Sequence, residues 1–126
     1  MKPAVVLLAA GAFAIVASAA AAPRLKPIMR DWKTQANQAQ LMLSGVIPYD
    51  EAQLRQILTG MVSDARDVEA GISSASAGAL AVKDRFSQFE ADAAATLQSA
   101  AARDDARARF QRVAGDCRSC HDALRN

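Results

Sequence analysis

Two cysteines and one histidine stand within a single five-residue run near the C-terminus, and the chain contains no others. Cys117 and Cys120 are three residues apart, and His121 follows directly. On a helix, residues three or four apart lie on one face, so two thiols and an imidazole would be presented to the same partner. The order Cys-x-x-Cys-His is that of c-type haem attachment, in which each thiol adds across a vinyl group of the porphyrin and the imidazole binds the iron.

Three other uses of these residues fit the sequence less well. A structural zinc site needs four ligands, and here only Asp116 or Asp122 could serve as a fourth. A thioredoxin-like dithiol lies at the start of a helix beside a strand, whereas this pair comes late in the last predicted helix. A disulfide within one helical turn is geometrically awkward. We therefore predict covalent attachment of one haem c, with a non-haem helical module that binds metal or a partner as the alternative.

Four segments repeat apolar residues in steps of three and four, the spacing of amphipathic helices. The first runs from Leu25 to Val46. Ser44-Gly45 can end this helix, Pro48 prevents its continuation, and Asp50 is the N-cap expected for the next helix. The other three are marked by Leu54, Ile57, Leu58, Met61, Ala65, Val68 and Ile72, by Val82, Phe86, Phe89, Ala93, Leu97 and Ala100, and by Ala106, Phe110, Val113, Cys117, Cys120 and Leu124. Residues 71–78 have no large side chain after Ile72 and predict a connection.

The spacing and length of these segments predict the fold class. No segment alternates with period two, and short connections favour antiparallel neighbours, so we predict an all-α, antiparallel up-down-up-down four-helix bundle with haem c in the bundle. The chain has 126 residues, of which 52% are hydrophobic but only 5% aromatic. Many inward positions are alanine, and the predicted core is therefore thin enough to be filled usefully by a bulky apolar group.

The N-terminus has the pattern of an export signal. Lys2 precedes an uncharged apolar stretch over residues 4–16, and small residues fill positions 17–22 before Pro23. A membrane anchor would need about 18 or more apolar residues with retaining flanks. We predict a signal peptide over residues 1–22, a single domain over residues 23–126, a periplasmic location and no membrane span after cleavage.

Charge and residue types exclude several function classes. Fifteen Lys and Arg against thirteen Asp and Glu leave a formal charge of +2, too small and too scattered to predict a nucleic-acid partner. The acidic residues lie on predicted solvent faces, no glycine-rich phosphate loop occurs, and the only histidine belongs to the haem motif. We therefore expect a protein that is not an enzyme.

Three stretches together resemble a known family. They are the closing segment GDCRSCHDALR over residues 115–125, Phe110 seven residues before the first cysteine, and the turn GVIPYD over residues 45–50. In these features the chain is similar to the cytochromes c′, which are four-helix bundles, and within them to the low-spin members often called cytochromes c-556. The resemblance covers most of residues 24–125. It implies one haem c linked through Cys117 and Cys120, with His121 as the proximal iron ligand.

The resemblance also makes Met29 the residue that decides the subtype. Counting back from the turn GVIPYD places Met29 at the family's distal position. A methionine there can bind iron as a sixth ligand, which implies an electron carrier that serves redox partner proteins. If Met29 only lines an apolar pocket, the iron is five-coordinate and binds nitric oxide, carbon monoxide or another small gas. Family members often dimerise through their first two helices, which implies a homodimer as a further partner.

Two arginines are candidates for contacts with the haem. Many members carry an arginine near a haem propionate one turn before the distal position, where this chain has Leu25 between Arg24 and Lys26. Arg24 is the candidate for this propionate contact, and Arg125, one turn after His121, is the candidate for a proximal contact. We expect core or pocket-wall positions for the aromatic residues Trp32, Phe86, Phe89 and Phe110.

Overall fold

The computed structural model describes residues 25–72 and 76–125, apart from the side chains of the last two. This part of the chain forms four helices, α1 (Leu25–Leu43), α2 (Glu51–Gly71), α3 (Ala77–Gln98) and α4 (Arg103–Arg125). No strand occurs within these ranges. Within them, too, no helix combines the length and the apolar character needed to cross a membrane. The predicted signal peptide lies outside the described residues.

Local signals at the first turn end one helix and begin the next. Gly45 adopts a positive φ of 81°, the left-handed conformation that commonly follows a helix C-terminus. The N–H of Val46 then donates to the carbonyl of Leu41 at 3.0 Å. The carboxylate of Asp50 accepts a hydrogen bond from the N–H of Gln53 at 3.0 Å, as an N-cap does. The predicted N-cap at Asp50 is confirmed.

The connection between α2 and α3 is shorter than the sequence pattern predicts. Gly71 still belongs to α2, and Ala77 already opens α3, so the predicted connection over residues 71–78 is wrong at both ends. The cause at the second end is Ser76, whose hydroxyl accepts a hydrogen bond from the N–H of Ala79 at 3.1 Å. This N-cap starts the helix within a run of small residues that lacks an apolar stripe.

Contacts between helices establish an antiparallel order. Near the start of α2, Arg55 donates to the carbonyl of Leu97 at the end of α3, at 3.4 Å. Further along α2, Arg66 pairs with Glu90, which is earlier in α3, at 2.7 Å. Each helix packs on its two neighbours in the ring α1–α2–α3–α4. The described residues therefore form an antiparallel up-down-up-down four-helix bundle, which confirms the predicted helical architecture, while the haem within it stays a prediction.

One apolar core runs through the bundle, but its packing is uneven. Helices α2 and α3 pack on each other most extensively, whereas α1 packs much less on either of its neighbours. The largest fully buried side chains are Met42, Leu43, Leu54, Leu58, Met61, Val68, Val113 and Thr96. The four predicted aromatic core residues, Trp32, Phe86, Phe89 and Phe110, are all buried. The loose packing of α1 leaves room beside α4, where the Cys-x-x-Cys-His run lies.

Candidate functional site

The Cys-x-x-Cys-His run lies in the last two turns of α4, and the helix continues through it without a break. Cys117 and Cys120 are half-buried free thiols, whereas His121 is exposed. Helical geometry directs the two thiols to one face and sets His121 one turn beyond Cys117. All three residues line a single cleft.

Met29 lines the same cleft from α1. It is far from the motif in sequence, in the second turn of the first helix. Because α1 and α4 are antiparallel neighbours, the start of α1 lies beside the end of α4. The structure thus brings together a thioether, two thiols and an imidazole from opposite ends of the described chain.

Aromatic rings form the inner wall of the cleft. Trp32 stacks on Phe89 with ring centroids 4.2 Å apart and planes at 13°. Phe86 is tilted against Trp32 at a centroid distance of 6.0 Å. The indole N–H of Trp32 donates to the carboxylate of Asp64 on α2 at 3.1 Å, which fixes the ring's orientation. The cleft therefore has a rigid and largely apolar lining.

The cleft has an inner and an outer part. The inner part, between α1, α3 and α4, is a narrow recess of about 310 Å³ when the solvent space at its mouth is included. The outer part is a groove of about 1080 Å³ between α1 and α4 that opens to solvent. Both parts are lined by Met29, Trp32, Cys117 and His121. Because they share these residues they adjoin, and together they form a slot along the α1–α4 seam.

A pair of carboxyl groups lies behind the first cysteine, and sequence reasoning missed it. Asp92 of α3 is only 8% exposed and accepts a hydrogen bond from the amide of Gln88 at 3.0 Å. Asp116 of α4 lines the inner cleft, and its buried Oδ2 has no hydrogen-bond partner among the described residues unless the carboxyl group carries a proton that it shares with Asp92. The expectation that the acidic residues occupy solvent faces is wrong for Asp92. Helical periodicity gave no signal, since α3 is rich in alanine and its faces are poorly distinguished.

Burial and proximity make these two carboxyl groups unequal. Burial, together with hydrogen bonding to Asp92 and the charge of Asp92, raises the pKa of Asp116 to about 7, against the opposing charge of Arg85. Burial acts to raise the pKa of Asp92 as well, but hydrogen bonds from Asp116 and Gln88 and the charge of Arg112 bring it below its usual value. Below neutral pH the pair therefore shares one proton, held mainly by Asp116.

The environment also keeps both cysteines protonated. Burial raises the pKa of the Cys117 thiol, and the neighbouring Asp116 and Cys120 raise it further, although the charge of Arg118 opposes them. Burial likewise raises the pKa of the Cys120 thiol, against the charge of Arg85. Both groups are therefore neutral thiols at pH 7, unlike the thiolates that bind metal ions directly.

Arginines near the motif have different surroundings. Arg85 of α3, which sequence reasoning did not select, lines the inner cleft and donates to the hydroxyl of Ser119 at 2.5 Å. Arg118 is exposed. Arg24 and the side chain of Arg125, the two predicted haem contacts, lie outside the described residues. Within those residues, no set of three or more His, Cys, Asp or Glu side chains is placed to hold a metal ion together.

The chain was compared with protein-family models, curated proteins and solved structures. No family model, no curated protein and no solved structure matches the chain.

Proposed function

We propose that this chain is a periplasmic c-type cytochrome that carries electrons through one covalently bound haem. The observation that carries the proposal is that Met29 and the Cys-x-x-Cys-His run line one cleft, although they come from opposite ends of the described chain. The order of the motif, its place on the last helix of a four-helix bundle and the resemblance to cytochromes c′ support the same proposal.

The residues of the cleft fit a c-type haem chemically. Two sulfurs on one helical face match two thioether links, and the aromatic wall offers an apolar surface to a flat macrocycle. Cys117 and Cys120 each form a carbon–sulfur bond to a vinyl group, and the thiol hydrogen moves to the other vinyl carbon, so that no net oxidation occurs. His121 and Met29 are the two residues that would hold its iron. When bound, the haem supplies one-electron chemistry at its iron.

The role of Met29 follows from its chemistry and position. A thioether is a soft ligand that suits haem iron, and His/Met ligation raises the reduction potential. If His121 and Met29 both held the iron, a change of its oxidation state would require no exchange of ligands. An electron carrier needs this property, whereas a gas-binding protein needs an open position.

The test is to express the full chain in a host that matures c-type cytochromes, and to compare it with a Cys117→Ala, Cys120→Ala variant. We expect the exported wild-type protein to be coloured after denaturation and to carry the mass of one haem, and the variant to be colourless. Reduced and oxidised spectra should be low-spin and nearly unchanged by carbon monoxide.

Two outcomes would contradict the proposal in different ways. A colourless wild-type product with only the polypeptide's mass would remove the haem and favour the non-haem helical module. A coloured product with a high-spin spectrum and rapid carbon monoxide binding would leave the haem in place but favour the gas-binding function.

A further inference from the structure

Charge is divided unevenly between the two halves of the bundle. Helices α1 and α4 together carry nine basic and five acidic side chains. Helices α2 and α3 together carry four basic and seven acidic side chains. The small net charge of the whole chain therefore hides a basic half and an acidic half. The groove that holds Met29 and His121 opens in the basic half.

Helix α1 contributes three exposed cations beside this groove. Lys26, Arg30 and Lys33 are spaced by four and three residues, so they form one stripe along the helix. Arg30 and Lys33 line the groove itself. Asp31, the one acidic residue of α1, is one residue from Arg30 and two from Lys33 and lies on another side of the helix.

Helix α4 contributes a matching stripe from the opposite wall. Arg118 is exposed, and it stands four residues after Ala114 and three before His121, both of which line the groove. Arg107 is exposed three helical turns earlier, on the same side of α4. Asp122, one turn beyond Arg118, adds one negative charge at the end of this stripe. The two stripes, Lys26, Arg30 and Lys33 on α1 and Arg107 and Arg118 on α4, form what we call the basic rim.

We propose that the basic rim is the docking surface for an acidic redox protein, which exchanges electrons with the haem held in the groove. This inference rests on the proposed function. An apolar centre surrounded by a charged rim is the usual anatomy of a protein–protein interface. A cationic rim accelerates the approach of an acidic partner and orients it over the groove. In each encounter the partner's redox centre gains the one electron that the haem iron loses, or the reverse.

The observations favour a protein over an anionic membrane as the occupant. A helix that binds a membrane surface buries large apolar side chains among its basic ones. Among the described residues, the exposed large apolar side chains are Val46, at 71%, and Leu80, at 44%, and neither is in α1 or α4. The rim thus has the charge for an acidic surface without the apolar residues for insertion.

The chain offers a closely matched pair of variants for the test. Lys26→Glu with Arg30→Glu reverses one lysine and one arginine on the basic rim. Lys83→Glu with Arg109→Glu makes the same change in net charge on α3 and on the α3 side of α4, away from the rim. Arg109 is two residues from Arg107, so the control also samples another side of the same helix.

Two readouts separate docking from haem loading. Binding of poly-L-glutamate is measured by titration calorimetry, and the reduced protein's oxidation by hexacyanoferrate(III) is measured by stopped flow. The rim variant should bind poly-L-glutamate about tenfold more weakly and be oxidised about tenfold more slowly at low salt. Two reversed charges at about 0.7 kcal/mol each amount to that factor. The control should change each by less than about twofold. For the wild type, the affinity for poly-L-glutamate and the oxidation rate should both decrease when salt is raised from about 0.01 to about 0.15 M, because the screening length shortens from about 30 to about 8 Å.

Several results would overturn the docking proposal. These are equal effects of the two variants, rates that do not depend on salt, and tighter binding to phosphatidylglycerol vesicles than to poly-L-glutamate at 0.15 M salt. A dimer that the rim variant dissociates would instead place the acidic half of a second copy on the rim. A colourless protein would refute the proposed function, whereas the poly-L-glutamate titration would still test the rim.

Discussion

The two halves of this bundle differ in how completely they are packed. Between α2 and α3 the core is closed beneath a surface groove that is lined mainly by polar side chains. Leu54, Leu58, Met61 and Val68 of α2 are fully buried. Between α1 and α4 the facing residues include Ala36 and Ala114, and a groove of about 1080 Å³ remains open. The side chains of α2 and α3 therefore fill the space between these two helices, whereas those of α1 and α4 are too small to fill theirs.

If a haem is bound as proposed, this difference in packing indicates which half depends on it. A well-packed interface is stabilised by contacts within the chain, whereas the lining of an open apolar groove lacks contacts on one side. Trp32 still ties α1 to the bundle through its stack on Phe89 and its hydrogen bond to Asp64. We expect α1 to be the least stable helix in the chain without the proposed haem, and the following predictions test that contrast.

Shortening a buried side chain in the closed half should cause a large loss in the free energy of unfolding. Leu58→Ala removes a fully buried side chain and should lower the free energy of unfolding by about 3 kcal/mol. The matched change Leu25→Ala affects a half-buried residue of α1 and should cost less than half as much. Urea denaturation of the two haem-free variants measures both values. Equal losses would show that the two halves are packed equally well.

Local opening should show the same contrast without any mutation. In the haem-free protein, amides of α1 should exchange with deuterium at least about tenfold faster than amides of α2, a difference of about 1.4 kcal/mol in opening free energy. Peptides from residues 25–43 and 51–71 report this by mass spectrometry. Attachment of haem should reduce the difference in exchange rate between α1 and α2, because the groove is then filled. Similar protection of α1 and α2 before attachment would contradict the proposed dependence.

The closed half was also the part that the sequence predicted best. Apolar residues such as Leu54, Leu58 and Met61 recur in helical steps, and this periodicity depends only on local order along the chain. The N-cap at Asp50 was equally local, since it needs one side chain and the N–H of Gln53. These features required no knowledge of which helices meet.

The open half depends on contacts between distant segments, and fewer of its features could be predicted from the sequence. The haem motif was recognisable from its five residues, but the presence of Met29 in the same cleft follows from the antiparallel arrangement of α1 and α4. The carboxyl pair of Asp92 and Asp116 was missed altogether, because neither residue departs from a pattern on its own helix. Iron ligation by Met29 stays a prediction.

That ligation can be tested with two methionines in different halves. Met29→Leu should convert the haem from low-spin to high-spin and allow carbon monoxide to bind, since leucine offers no lone pair to iron. Met61→Leu, at a position 1% exposed in α2, should leave the spectrum unchanged. Both exchanges nearly conserve volume and should cost less than about 1.5 kcal/mol in stability. A low-spin spectrum in Met29→Leu would show that another group is the sixth ligand.

The last contrast concerns the carboxyl pair at the boundary between the halves. The pKa of Asp116 is about 7 in the folded chain, against an ordinary value of 3.8, so the folded haem-free protein retains a proton that the unfolded chain releases. Folding stability from this group is therefore fully present below about pH 4 and is lost as the pH rises towards 7. The lowered pKa of Asp92 acts below this window, where stability is lost as the pH falls.

Denaturation of the haem-free protein between pH 4 and 7 separates this contribution from the rest. Asp116→Asn should flatten the decline of stability with rising pH, because the amide cannot lose a proton on unfolding. Asp67→Asn, at an exposed position on α2, is the matched control and should keep the wild-type slope. If both variants keep it, Asp116 does not hold the proton, and the buried Oδ2 must be satisfied in another way. If only Asp116→Asn loses the wild-type slope, the loss of stability with rising pH arises at the carboxyl pair and not in the closed half.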